Sequence, residues 1–484
     1  MWGAKRRAFI GIATVALFAA SACSSSTATP APTPAPTQAP ATQAPGTQAP
    51  GTQAPAGSAV ATAAAPNTTL TGDLTWWSWT PTADLATTMI AAFNKAYPNV
   101  KVTFVSKPID TYNSLIGPAI TSSKGPDIFG IAPGSLNGGV SLFGPGAIDL
   151  TAAVTAALGP DWKSKVAPAG VDPLTLNGKL AGLQVGAVYS GWMWINQDIF
   201  DKYNLKAPTT MAEWKSVCAT LKANNVGCFV QGAGQWAFDM DTFEAIVENI
   251  APDLYTQAAQ GKVKWTDPRF VQAMGIWKSL FDQGIMQEGA VGLQQYPDAN
   301  NLFLSGKYAM VMMGSWYTSN TVKETMINGM TAAGVSNPTP ITIMPIPFPD
   351  LAGTGKTGTM FGDADYGLAV SAKSSQQEAA TAFAVWIATS QAGQQVVANT
   401  LNLIPALKGV GPQWDQINLV NPTKQLQAMQ DYQTKAVSSI SQRLGDVSTD
   451  LNTAFRDALI GMATGQKTAD QAVAILQAVQ DAGK

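Results

Sequence analysis

The sequence predicts an α/β fold built on largely parallel sheet, and three observations predict it. First, short strand signals recur after Leu70: LTWWSW (74–79), VKVTFV (100–105) and DIFGI (127–131). Second, the stretches between them carry helical spacing, with Leu85, Met89, Phe93 and Tyr97 falling every four residues. Strand, helix, strand, helix, strand is the order of parallel strands joined by right-handed crossovers. Third, residues 70–484 form a body of 415 residues, which at ~150 residues per domain allows two or three domains.

The N-terminus precedes that body and differs from it. Lys5, Arg6 and Arg7 form a charged n-region, and residues 8–22 are an apolar run of 15. A membrane-spanning helix needs ~20 such residues, so 1–22 reads as a secretory signal peptide. The run ends Ala20-Ser21-Ala22-Cys23. This resembles a bacterial lipobox, although Ala20 stands where leucine is usual. The resemblance implies cleavage before Cys23 and a diacylglycerol on its sulfur; the alternative is plain secretion after an A-x-A site. Residues 23–69 then read as a disordered tether. TQAP recurs at 37–40, 42–45, 47–50 and 52–55, and nine prolines fall within 24–69. With few large apolar groups to bury, such a segment cannot offset its ordering entropy. Extended at ~3.1 Å per residue it would reach on the order of 140 Å.

In the body, Thr80-Pro81 reads as an N-cap with proline at the first helical position, and Pro98 stops that helix. A second helix is expected over about 110–122. Asn177-Gly178 marks a tight hairpin turn. GWMWINQDIF leads into a helix ending near Tyr203, and TTMAEWKSVCATLKAN is another helix. KYAMVMM (307–313) and YGLAV (366–370) read as buried strands, and 374–390 as an amphipathic helix. Thr468 and Gln471 form a capping box for the last helix.

Composition excludes several chemistries. The chain has no histidine, so it holds no Ser-His-Asp or Cys-His machinery and no histidine-containing zinc site. Three scattered cysteines form no C-x-x-C pair. No cofactor and no metal are expected. Beyond residue 69 there are 26 basic and 31 acidic residues, a net of −5, which gives no footprint for nucleic acid and no attraction to an anionic membrane. A lipid anchor would be the only membrane contact. Cys218 and Cys228 could form a disulfide in an exported chain or remain two buried thiols. Closing a loop of about eleven residues is worth ~3 kcal/mol in the chain-entropy model.

Several ordered segments then match a family: GPDIFGI (125–131), LNGKLAGLQ…WINQDIFDKYNL (176–205), APTTMAEW (207–214), FLSGKYAMVMMGSWY (303–317), GLAVSAKSSQQEAATAFAVWIATSQAGQQ (367–395) and ALIGMATGQKTADQA (458–472). Over nearly all of 72–484 the chain resembles the family 1 extracellular solute-binding proteins of ABC importers, the group of the maltose-binding protein. It departs from them at Gln184-Val185, at Trp194-Ile195 and in the acidic GDADYG (362–367). The resemblance implies a periplasmic-binding-protein-like fold of two α/β lobes joined by a hinge, with a ligand cleft between them. The expected lobes are 72–187 plus 363–390 and 190–360 plus 391–484. The expected chain crossings lie near 186–190, 360–366 and 387–393. It also implies a monomer that hands a small-molecule solute, a carbohydrate, to ABC transporter permease subunits.

Sugars offer apolar C–H faces and a hydroxyl rim, so their sites pair aromatic rings with Asp, Asn, Gln or Arg. Trp76, Trp214, Trp277 and Trp386 sit within strand or helix patterns and read as core. The ligand-binding set at strand ends and loops is Trp79, Thr80, Ser135, Asn137, Tyr189, Trp192, Gln235, Trp236, Asp239, Trp316, Tyr317, Asp365 and Arg443. A surface salt bridge competes for Arg443, a turn role for Asp365, and Asp127 reads as a buried structural acid. No catalytic residue is expected. Two other readings stay open: a receptor for a polyamine, glycerol phosphate or peptide, and a glycoside hydrolase built on two carboxylates.

Overall fold

The first strand shows how the sequence becomes a lobe. In β1 (Gly72–Ser78) Leu74, Trp76 and Ser78 are buried in alternation, as the period of two requires. Helix α1 (Ala83–Ala96) buries Leu85, Met89 and Phe93 against that face. Trp76 lies 4.6 Å from Phe104 and 5.5 Å from Phe383, ring centre to ring centre. Burying such an aromatic contributes roughly 1.5–3 kcal/mol. The computed structural model describes residues 65–134, 138–167, 171, 174–439, 441–443 and 447–483, with the backbone alone at Asp110, Trp236 and Ala237. Residues 1–64, with Cys23 and most of the proline-rich stretch, lie outside the described residues. The expected tether ends earlier than residue 69: the Asn67 amide already donates to Ala96 O at 2.8 Å, and the Asn99 side chain donates to Thr68 O at 2.7 Å.

Lobe 1 is a six-stranded sheet. Its strands are β1, β2 (Val100–Ser106), β3 (Ile128–Ile131), β6 (Leu183–Ser190), β11 (Phe361–Val370) and β12 (Ile404–Pro405), in the order β12-β6-β11-β3-β1-β2. The short pair β4 (Thr175–Leu176) and β5 (Lys179–Leu180) flanks it, closed by Asn177 and Gly178 at φ 52° and 79°. Helix α2 (Tyr112–Ile120) follows a single 3-10 turn, and the first helix starts at Ala83 rather than Pro81, which follows a cis peptide.

Lobe 2 holds a four-stranded sheet, β10-β7-β9-β8, from β7 (Trp192–Asn196), β8 (Gly227–Val230), β9 (Tyr308–Val311) and β10 (Ile343–Pro347). Around it pack α3 (Met211–Ala223), α4 (Trp236–Ile250), α5 (Pro268–Asp282) and α6 (Lys323–Ala332). Helices α9 (Pro422–Val437), α10 (Thr449–Ala463) and α11 (Ala469–Ala482) complete it, the last opened by the Thr468–Gln471 capping box. Trp214 and Trp277 are fully buried in its core. Cys218 and Cys228 are bridged, their Cα atoms 4.9 Å apart.

The sheets are mixed rather than largely parallel. β1 pairs in parallel with β2 and β3, but β11 runs antiparallel to both β3 and β6. The reason is the two-lobed path. The chain leaves lobe 1 on β6 and returns on β11, so the two crossing strands run opposite ways.

The third crossing is displaced from its expected place. Helices α7 (Gln377–Thr389) and α8 (Gln391–Asn399) both pack in lobe 1, where Phe383, Ile387, Val397 and Leu403 share one core. The chain keeps to lobe 1 through Gln413, whose amide donates to Asn399 Oδ1, and enters lobe 2 by Val420, whose amide donates to Thr321 O. Residues 391–413 therefore belong to lobe 1. Gly393 is no hinge: a Cβ there would stand 2.3 Å from Trp386 O, so glycine lets α7 and α8 nest.

Candidate functional site

The floor between the lobes is laid by the two crossing strands. Tyr189 ends β6, and β11 brings Asp363 and Asp365, with a register irregularity between Ala364 and Tyr366. Over this floor comes the chain leaving β9. Gly314-Ser315-Trp316 turns sharply, and a Cβ at Gly314 would lie 2.1 Å from the Trp316 ring and 2.5 Å from Tyr189 O. Only glycine permits that approach. The Ser315 hydroxyl accepts the Tyr189 amide at 2.9 Å, pinning the turn to the crossing strand. Half-buried Trp316 packs against the cores of both lobes.

Trp316 is fixed from several sides. Its Nε1 donates to the Tyr296 hydroxyl at 3.1 Å, and that hydroxyl reaches Met313 Sδ at 3.3 Å. Phe238 meets Tyr296 at 5.7 Å and Trp316 at 6.2 Å, both edge-on. The guanidinium carbon of Arg443 sits 4.9 Å from the Trp316 ring centre, a cation–π geometry. Arg443 is locked in turn: Nε donates to Asp241 Oδ1 at 2.7 Å and Nη2 to Oδ2 at 2.9 Å. The side chains are 15% and 1% exposed, so this is a buried bidentate pair and not a surface bridge.

The strap that carries Arg443 is tied to the returning strand. Ser439 Oγ donates to Met360 O, and the Gly362 amide donates to Ser441 O at 2.9 Å. The Ser441 hydroxyl donates to Glu248 Oε2 at 3.1 Å. Asp241, Glu244 and Glu248 thus form one acidic row along α4, at spacings of three and four residues. Burial pushes Glu248 up to about 7, opposed by the Asp253 amide and Ser441. Asp365 also sits in deep surroundings. Burial pushes it up to about 6, with the Arg443 charge pulling the other way, and no described residue donates a hydrogen bond to it. Burial, then the charge of Asp363, raises the Tyr189 hydroxyl. Away from this floor, a further hydrogen bond joins the lobes: Asn328 Nδ2 on α6 donates to Asp84 Oδ2 on α1 at 3.1 Å.

Of the residues expected to bind ligand, the structure gathers Tyr189, Trp316, Asp365 and Arg443. Trp79 and Thr80 stand half-buried at the end of β1, and the Trp79 ring lies edge-on to Tyr112 at 4.8 Å. Others serve the frame. Trp192 donates to Gly358 O at 2.9 Å and packs on Tyr432 at 5.3 Å. Tyr317 is 1% exposed and donates to Asn300 at 3.0 Å, turned away from its neighbour Trp316. Gln235 is buried, and its carbonyl accepts the amides of Gln295 and Tyr296, which holds Tyr296 in place. Asp239 does not reach the cleft. It is 1% exposed inside lobe 2, where burial holds its carboxyl well above the usual range against the pull of Arg456 and Gln231. Two residues on a helix turn by about 200°, so Asp241 faces Arg443 and Asp239 does not. Asp127 accepts from the Thr75 amide and from Ser374, a structural role. Ser135, Asn137 and the Trp236 side chain lie outside the described residues.

Sequence reasoning missed Tyr296, Phe238 and Asp241. The helical phase of Asp241, Glu244 and Glu248 could have found the last; nothing local marks Tyr296. Among the described residues no group of three His, Cys, Asp or Glu is placed to hold a metal ion, and no helix is long and apolar enough to cross a membrane.

Comparison with known proteins agrees with the two-lobed geometry. A relative, an uncharacterized ABC transporter extracellular-binding protein of Pyrococcus horikoshii, is 26% identical over 158 residues. That match covers 31% of this chain and only 36% of the relative. A structure from work on xylan utilization by the thermophilic bacterium Caldanaerobius polysaccharolyticus superposes with a TM-score of 0.65 at 23% identity, over 84% of this chain and 99% of that one. A chitin oligosaccharide binding protein gives 0.65 at 22%, covering 85% and 98%. Maltose-bound MalE3 of T. maritima gives 0.65 at 18%, covering 85% and 100%. At these identities the three structures establish the fold. The model of the bacterial extracellular solute-binding protein family matches residues 76–394, so the chain belongs to that family of exported binding proteins and is not an enzyme.

Proposed function

We propose that this protein captures a carbohydrate between its lobes and delivers it to the permease of an ABC importer, held at the outer membrane face by a lipid on Cys23. The observation that carries the ligand class is Trp316 between the lobes, squared by Tyr296 and Phe238, with Asp365, which accepts no hydrogen bond from a described residue, within electrostatic reach of Tyr296 and Arg443. A flat ring next to a carboxylate suits a sugar, whose C–H face stacks while its hydroxyls donate. Tyr189 and Trp79 would extend the apolar surface. Among the structural neighbours are a chitin oligosaccharide binding protein and a maltose-bound protein, and another comes from work on xylan utilization, which supports the same class. Closure follows only if the sugar contacts the closed state better than the open one.

A panel of mono- and oligosaccharides, screened by thermal shift and tryptophan emission, tests this reading. At least one sugar should raise Tm and alter emission, and Trp316→Ala should abolish both. Silence across the panel, with a non-sugar solute raising Tm instead, would sink it.

A further inference from the structure

Arg443 has a role beyond holding Trp316 in place. A guanidinium over an indole face fills the position that a ligand ammonium would take. Here it is the protein's own side chain, and Asp241 grips it with two hydrogen bonds at 2.7 and 2.9 Å. The carboxylates that act on Arg443 are Asp241, Asp365 and Glu244. For Asp365 the one cation that acts on it among the described residues is Arg443. Without this arginine, the cleft would present an aromatic ring flanked by acids, which is the chemistry that recognises ammonium groups.

We propose that Arg443 is a specificity-determining residue, a built-in counter-cation that closes the Trp316 ring and Asp365 to cationic ligands and so directs the cleft to neutral ones. The inference deepens the reading above and rests on it only in taking Trp316 as the ligand-facing ring. Asp241 is the positioning residue: it keeps the guanidinium plane over the indole, whereas an unpaired arginine would swing to solvent with its stem. The strap bonds from Ser439 and Ser441 to Met360, Gly362 and Glu248 fix the backbone from which Arg443 projects.

Two measurements on the full chain test this. The first uses the wild type with cellotriose and the glucosamine trimer, which differ by replacement of each 2-hydroxyl with an ammonium. The neutral trimer should bind about tenfold tighter or more, because an ammonium would meet the like charge of Arg443 at the ring. Equal affinity, or preference for the amine, overturns the inference while leaving the carbohydrate reading intact. The second titrates tetramethylammonium chloride against tryptophan emission, with sodium chloride at matched ionic strength as control. The wild type and Arg443→Lys should respond weakly. The variant Arg443→Ala/Asp241→Leu, which removes both charges together, should bind the cation about tenfold tighter. Adding Trp316→Phe should cancel most of that gain, a result that a merely structural Arg443 would not produce. No gain in a folded double variant, or a gain indifferent to Trp316, overturns the inference. If neither trimer binds, the tetramethylammonium titration decides the role of Arg443, and the carbohydrate reading is decided separately by the wider sugar panel.

Discussion

Removing Arg443 alone should be far more damaging than removing it with its partner. Asp241 is 1% exposed on its side chain, and Arg443 15%. The Arg443→Ala protein would leave a carboxylate buried in lobe 2 without its bidentate donor. Breaking a buried pair from one side costs about 3–5 kcal/mol, because the surviving charge keeps its desolvation penalty. An exposed bridge would cost only about 0–1 kcal/mol. The burial here decides between the two figures, so the larger is expected. Arg443→Ala/Asp241→Leu removes both charges and fills the acid's place with apolar volume, so it should regain most of the loss, leaving a coupling of roughly 2–3 kcal/mol. The assay is urea unfolding at pH 7.5 of the wild type, both single variants and the double variant. Circular dichroism and tryptophan emission should be followed together, because the lobes need not unfold as one unit. If Arg443→Ala loses less than about 1 kcal/mol, or if the double variant is no more stable than that single variant, the pair is not the buried clamp described above.

Three further outcomes are expected. Asn328→Ala removes the hydrogen bond to Asp84 between the lobes; the ligand-free protein should open, with a larger radius of gyration in small-angle scattering. Sugar affinity should fall about two- to tenfold, the worth of one such bond. An unchanged radius and affinity would show that the contact holds nothing. Glu248 is raised to about 7 from an unfolded value near 4.3, so the folded protein retains a proton that the unfolded chain releases. Its contribution to stability is therefore present at low pH and lost as pH rises from about 4.5 to 7. Glu248→Gln should flatten the fall of Tm over that window and be more stable than the wild type at pH 8, by an amount on the order of 1–3 kcal/mol. Asp365, raised to about 6, accepts sugar hydroxyls best when ionised, so affinity should rise as pH increases through 6. Asp365→Asn should bind more weakly at pH 7.5 and lose that dependence, and a sloping titration curve in the variant would assign the proton elsewhere.

Which features could be read from the residues depended on how local their causes are. The strands around Trp76 and the helix of Leu85, Met89 and Phe93 follow from spacing along one segment, and they form where that spacing puts them. The antiparallel pairing of β11 with β6 joins residues about 180 positions apart, and neither strand's own pattern carries its direction. The resemblance implied a chain crossing near 387–393, yet glycine at 393 answers to the close approach of Trp386 O, which exists only once α7 and α8 fold. In the cleft, Trp316 was legible from its place at the end of a buried strand, whereas the need for glycine at 314 shows only in the close approach of the Trp316 ring and Tyr189 O. Tyr296 was not, since its position depends on Gln235, about sixty residues earlier, accepting its amide.

The ligand's charge class has a more local cause than its identity. Identity would depend on hydroxyl positions read by several side chains at once. Charge class turns on one group, the Arg443 guanidinium, held by Asp241 and set over Trp316. A cationic solute would meet that guanidinium at close range, and removing Arg443 leaves Asp241 buried without its donor. A neutral solute meets a ring and an acceptor and disturbs neither. If Arg443 sets selectivity as proposed, the bidentate lock ties the stability of lobe 2 to that selectivity. Variants that relax selectivity at Arg443 should lose stability too, unless Asp241 changes with it.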